Sequence, residues 1–258
     1  MSDQIAIQKY KSLTFAWVPD LLFRPRRFFQ RISTINSALW LTPLLILSIA
    51  VIINVLIVGR IKSQALLMGE VTYPPDFQYY SPEQQAQYMQ AIQSTQGPVF
   101  SYVLPSITSL LGVWAGWLIL GGSLHLITTL FGGRGSTAVS LNIVAWSSLP
   151  LVLREIVQII YLLYSDSLIK SPGISGFMPI AESGLSLYFS QILTLVDIYL
   201  IWQVVLLILG VRISSGLNRG KSVFCVILTV VFILLIQSGF SYLVSLLGDL
   251  NISRPFFF

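Results

Sequence analysis

The sequence predicts an all-α integral membrane protein: a five-transmembrane-helix bundle preceded by an N-terminal interfacial amphipathic helix. Three observations carry that prediction. The 258 residues are 55% hydrophobic and only 10% charged, with a mean hydropathy of +0.79, whereas soluble domains carry roughly 25% charged residues. Five apolar segments, at about 39–59, 103–131, 137–164, 184–210 and 222–247, each reach the ~20 residues that cross a ~30 Å hydrocarbon core at 1.5 Å per residue. The few charges collect between those segments. The net charge of +5 therefore reads as orientation on a membrane, not as nucleic-acid binding.

Residues 1–38 form the N-terminal segment. It carries Lys9, Lys11, Arg24, Arg26, Arg27 and Arg31 against Asp3 and Asp20. From Phe15 to Ile35 the arginines interleave with Trp17, Leu21, Leu22, Phe23, Phe28, Phe29 and Ile32. Pro25 suits the first turn of a helix, where its missing N–H has no partner to lose. Such a helix is expected in the interface, rings toward lipid and guanidinium groups toward anionic headgroups. The arginines then either set topology alone or also dock a partner. The segment is too long and polar for a cleavable signal peptide, so the first apolar run is expected to be a retained anchor.

The stretch Phe131–Arg154 (FGGRGSTAVSLNIVAWSSLPLVLR) organises the membrane domain, 39–247. A turn as short as Gly132–Gly135 between two spanning runs forces an antiparallel hairpin. Its glycines supply the left-handed dihedrals that end a helix, and Ser136 or Thr137 serves as the next N-cap. Pro150 after Trp146-Ser147-Ser148 interrupts the third span, with serine hydroxyls satisfying freed carbonyls. The loop 211–221 (VRISSGLNRGK) is similarly short, basic and rich in Gly and Ser, so the last four spans read as two hairpins with alike corners.

An odd number of spans puts the termini on opposite sides. The N-terminal side then holds Lys9, Lys11, Arg24, Arg26, Arg27, Arg31, Arg134, Arg212, Arg219 and Lys221, and the other side Arg60, Lys62, Lys170 and Arg254. Ten against four follows the positive-inside rule, giving a cytoplasmic N-terminus and an outer C-terminus, in the cell (plasma or inner) membrane. The loop 60–98 lies outside, with a short surface helix at Glu83–Ile92 after Ser81-Pro82. The outer tail 248–258 ends in RPFFF, rings at the interface.

Arg154, Glu155 and Asp197 are the deepest ionisable residues. A lone charge at the bilayer centre costs ~2.5–3.5 kcal/mol on insertion scales, so it faces the bundle and takes a partner. Helix rise puts Arg154 ~15 Å and Asp197 ~20 Å below the outer surface, close enough for an arginine to bridge the third and fourth spans. The functional reading is an ion or proton pathway; the structural one is a clamp. A pathway needs several acids or histidines in series, and only these three charges are present, which favours the clamp. His125, the single histidine, has no ligand partner nearby and reads as an interhelical hydrogen-bonding residue. Asn54, Asn142, Gln158, Gln191, Gln203 and Gln237 read likewise. Gly112 and Gly116, four apart, permit close approach of two helices of this bundle or of two copies. The one cysteine, Cys225, allows no intrachain disulfide and no metal cluster. No phosphate loop, nucleophile elbow, HExxH or paired-carboxylate motif is present, so no enzyme activity and no cofactor is expected.

Three stretches resemble the Yip family, the Ypt/Rab-interacting membrane proteins and their prokaryotic relatives. They are the lead-in LLFRPRRFFQRI, the glycine corner and span FGGRGSTAVSLNIVAWSSLP, and DIYLIWQVVLLILGVRISSGLNRGKS, a fourth span running into a basic corner. The resemblance covers about residues 20–247. It implies five spans with the N-terminus inside. Eukaryotic members have a long cytoplasmic N-terminal region and act with Rab-type GTPases; the short one here resembles the prokaryotic branch. For some bacterial relatives the resemblance implies association with ABC-type efflux systems that include a membrane-fusion subunit.

Two functions follow. One is a non-enzymatic scaffold or accessory subunit that binds another membrane protein or self-associates, docking through Arg24, Arg26, Arg27, Arg31, Arg134, Arg212, Arg219 and Lys221 on protein or lipid. The other is a small transporter or channel with Arg154, Glu155 and Asp197 in its pathway.

Overall fold

The computed structural model describes residues 14–35, 37–67, 77–95, 97–169, 171–177 and 184–247. The RPFFF tail and Lys9, Lys11, Lys170 and Arg254 lie outside them. The described residues are helical without strands, in the order α1 Val18–Phe23, α2 Pro25–Ile32, α3 Leu41–Leu67, α4 Pro82–Thr95, α5 Leu104–Leu130, α6 Thr137–Ser147, α7 Leu149–Ser165, α8 Gly184–Leu195, α9 Ile198–Ser215 and α10 Arg219–Leu247. Five helical stretches are long and apolar enough to span a membrane: Leu41–Ala65, Val99–Leu130, Thr137–Ser165, Ile198–Ser215 and Arg219–Phe240.

The third span is the hub. Of its most apolar window 67% is buried inside the protein, against 22–44% for the other four. It packs through α6 and α7 on α3, α5 and α9, while α10 closes the bundle against α5, α8 and α9. Its N-terminus forms as the sequence predicts. Gly132 takes φ +90, a conformation that costs a Cβ-bearing residue dearly, and the Ser136 hydroxyl accepts from Val139 N at 3.3 Å. The break falls at Ser148, one residue before the Leu149-Pro150 start of α7. Proline has no N–H to continue the ladder, and Ser148 Oγ donates to Ala145 O at 2.7 Å.

The fourth span differs from a single helix over 184–210. It is interrupted at Val196-Asp197, and α9 runs on to Ser215. Asp197 causes the break. Its carboxylate accepts from Leu200 N at 2.7 Å and so caps α9, a role aspartate fills far better than a helix interior. The exposed carbonyls at the end of α8 are met from the loop between α7 and α8, where Ile174 N donates to Leu193 O at 3.1 Å and Val196 O at 3.0 Å. Gly173 makes this possible: at φ +63, a Cβ would lie 2.6 Å from both of those oxygens.

The N-terminal helix forms, in two pieces hinged at Arg24, but its rings do not enter lipid. Phe28 and Phe29 are 2% and 1% exposed, because α2 lies on α9 and α6 with Phe28 4.9 Å from Trp146. The bundle offers a better sink than the interface, since ring-on-ring packing adds ~0.5–1.5 kcal/mol to burial. Phe15 and Phe23 remain 56% and 83% exposed. In the loop between the first two spans, α4 is longer than the predicted Glu83–Ile92. It starts on a reciprocal capping box, Ser81 N to Gln84 Oε1 at 3.0 Å and Gln84 N to Ser81 Oγ at 3.2 Å, the pairing that satisfies two free amide donors at once.

Candidate functional site

Two arrangements collect the polar chemistry. The first lies within the membrane. Arg154 and Glu155 sit on α7, 8% and 7% exposed, and Asp197 sits at the α8–α9 break. Arg154 Nη2 is 3.2 Å from Glu155 Oε1 and Nη1 is 3.7 Å from Asp197 Oδ2. Glu155 Oε2 accepts from Asn54 Nδ2 at 2.7 Å, and the same amide reaches Gln158 Oε1 at 3.1 Å. One continuous chain, Asn54–Glu155–Arg154–Asp197, therefore joins the first, third and fourth spans. Its charges neutralise one another apart from one surplus carboxylate, and Arg154 Nε is buried without a partner. A void beside Leu200 and Gln203 is walled by Leu120, Leu207, Val230, Ile233 and Leu234 and measures about 10 Å³. That is about the space one water needs, and Gln203 Oε1 is left without a hydrogen bond. No group of three His, Cys, Asp or Glu that would hold a metal occurs among the described residues.

The second arrangement is the basic face. The two corners touch: Arg134 N donates to Ser215 O at 3.0 Å, and Lys221 Nζ reaches Phe131 O at 3.4 Å. Against them, α2 is pressed onto α9 at Gly210, where an added Cβ would meet Ile143 Cγ2 at 2.6 Å and Phe29 Cε1 at 3.1 Å. Arg31 belongs to the fold as much as to the surface, with its guanidinium 4.5 Å from the Trp17 ring centroid and 3.7 Å from Asp20. Among the described residues, Arg24, Arg26, Arg27, Arg134, Arg212 and Arg219 have no acidic partner within salt-bridge distance. Between α2 and α9 a cavity of about 290 Å³ opens, lined by Arg26, Gln30, Leu209, Arg212 and Ile213.

Sequence reasoning placed His125 between helices, and its Nδ1 lies 3.4 Å from Ser140 Oγ. Asn142 it read only as an interhelical hydrogen-bonding residue, and it missed the three hydrogen bonds that anchor the start of the first span. Asn142 accepts from Leu39 N at 2.8 Å and donates to Ser37 O at 2.9 Å, and Trp146 Nε1 donates to Leu39 O at 3.1 Å. The signal was the four-residue spacing of Asn142 and Trp146, which puts both on one helix face. The Arg26–Gln30 cavity was missed too. Its signal was a pair of four-residue spacings, Arg26 to Gln30 and Leu209 to Ile213, on two separate helices.

Five spans around a broken, charge-bearing third, with a basic helix folded onto one face, define a polytopic helical membrane protein. Within that class the chain belongs to the Yip1 domain family, which its sequence matches over residues 20–240. The match runs from α1 to late in α10, so it takes in the basic lead-in, both broken spans and both corners. No similar curated protein or solved structure was found.

Proposed function

We propose that this Yip1-family protein is a non-enzymatic membrane scaffold or accessory subunit that holds another membrane protein, an ABC-type efflux system being one such partner. In this reading the N-terminus is cytoplasmic and the chain resides in the cell membrane. The observation that supports it best is the joining of α2 and the two corners into one cationic face. Arg26 and Arg212 line one cavity, contacts of Arg134 and Lys221 join the two corners, and Arg24, Arg27 and Arg219 lie on or beside the same elements. A fixed cluster of one sign attracts and orients an oppositely charged surface, and it sits next to anionic lipid. The test is salt-dependent co-purification of a membrane partner with the wild-type chain and its loss when the face is neutralised.

A second reading, a small transporter, has one observation in its favour. The third and fourth spans both break close to the Arg154–Asp197 pair, and broken helices at mid-depth build substrate sites in transporters. Against it, Arg154 already faces both carboxylates and the nearby void holds about one water. Solute flux through proteoliposomes decides between the two.

A further inference from the structure

We propose that the cavity between α2 and α9 is a binding site for the headgroup of an anionic phospholipid. This goes beyond the scaffold reading and does not depend on it. Two arginines from different helices, Arg26 and Arg212, line a volume of about 290 Å³ together with Gln30. Neither arginine has an acidic partner among the described residues, unlike Arg31, Arg60 and Arg154, each within 3.2–3.7 Å of a carboxylate. The local backbone adds to the imbalance. Helix α2 opens with Pro25, Arg26 and Arg27, has no acidic residue in its first turn and no side-chain cap. Cations at the positive end of a helix are destabilising, so an anion seated there relieves both the dipole and the arginine repulsion. Arginine forks match phosphate oxygens in pairs.

The rest of the lining points to lipid as the source of that phosphate. Leu209 and Ile213 lie one turn apart on α9 and give the cavity an apolar wall running toward the span, where an acyl chain leaves its headgroup. Arg212 is in the last turn of this spanning helix, the level at which basic pockets between helices take up lipid headgroups. Phe23, 83% exposed at the end of α1, is an aromatic ring of the kind that favours a membrane interface. Beside the pocket, Gly210 lets Phe29 pack close to α9, where an added Cβ would meet Phe29 Cε1 at 3.1 Å.

The experiment uses the full chain in a neutral detergent, with thermal unfolding followed by tryptophan fluorescence. Phosphatidylglycerol, phosphatidylcholine or inorganic phosphate is titrated in. The expected result is a rise in Tm with phosphatidylglycerol alone. In Arg26→Gln/Arg212→Gln the apparent affinity falls roughly tenfold or more, as the loss of two surface arginines implies. Ile213→Trp keeps every charge but fills the cavity, and it loses the response as well. An equal response to phosphatidylcholine overturns the proposal. So does a response reproduced by phosphate alone, which makes the site one for a free anion. A response kept in Ile213→Trp reduces it to diffuse surface charge. If the variants do not fold, native mass spectrometry of the wild-type chain from an equimolar lipid mixture decides: selective retention of the anionic lipid supports the site, and equal retention of both lipids overturns it.

Discussion

Arg154 on α7 approaches Asp197, at the break between α8 and α9, to 3.7 Å, and the same aspartate caps α9 through Leu200 N. One side chain thus serves two purposes, as counter-ion and as helix start. The first prediction separates them. Arg154→Gln leaves Glu155 and Asp197 both without their cation and should cost about 3–5 kcal/mol, the usual result of breaking a buried pair. Asp197→Asn keeps an acceptor for the cap and leaves Arg154 with Glu155, so about 1–3 kcal/mol is expected. Asp197→Ala should cost about 1 kcal/mol more than the asparagine variant, because the cap goes as well. Thermal unfolding in detergent gives the order; a milder Arg154→Gln than Asp197→Asn rules out the pairing.

The second prediction concerns the seat of α2. An alanine Cβ at Gly210 meets Ile143 Cγ2 at 2.6 Å, and Ile143 is 1% exposed with a β-branched side chain that cannot swing away. The gain in helix propensity, about 1 kcal/mol, is set against overpacking of about 1–3 kcal/mol. Gly210→Ala should therefore push Phe29 outward and loosen α2. Trypsin cleavage between Arg24 and Arg31 should speed up several-fold. Unchanged cleavage means that α2 is not held at this point.

These two sites show what the sequence allows a reader to see. Span number, the Gly132 corner, the Ser136 cap and the proline break at Ser148 are local effects of residue type, and each is visible in the chain. The Arg154–Asp197 pair follows from depth arithmetic, because two buried charges of opposite sign have few other partners. The destination of the α2 rings was not legible. Phe28 and Phe29 suit lipid and protein equally well, and only the groove beside Gly210 decides between them. The α8–α9 break was hidden for a similar reason. Asp197 in an apolar run looks like a buried ion, and the end of α8 before it is satisfied by a loop that arrives from more than twenty residues upstream.

The third prediction is topology. The Lys/Arg asymmetry puts α4 outside and the Arg212–Lys221 corner inside. On a Cys225→Ala background, Glu83→Cys should react with an impermeant thiol reagent in intact cells and Gly220→Cys only after permeabilisation. Both positions are exposed, and a Cβ at Gly220 meets only Asn218 Oδ1, at 3.8 Å. The reverse labelling pattern inverts the orientation.

The last prediction addresses function. If the cationic face holds a partner, neutralising it should release that partner without unfolding the bundle. Arg31 must be spared, since its contacts with Trp17 and Asp20 contribute to the seating of α1 and α2. The variant is therefore Arg24→Gln, Arg27→Gln, Arg134→Gln and Arg219→Gln together, all exposed and none in an ion pair among the described residues. Surface charges of this kind contribute little to stability, so Tm should stay within a few degrees. The partner should elute at a distinctly lower salt concentration, because screening over ~10 Å at 0.1 M acts on the charges that remain. Retention of the partner at unchanged salt removes the face from the interaction. The transporter reading makes an opposite demand of the same protein. It requires that the purified chain alone carry a solute or ion across proteoliposomes and that Asp197→Asn abolish the flux while leaving the cap and the fold in place. Because the asparagine keeps the helix start, loss of flux in that variant reports on charge in a pathway, and its absence leaves Asp197 as the clamp that the paired geometry describes.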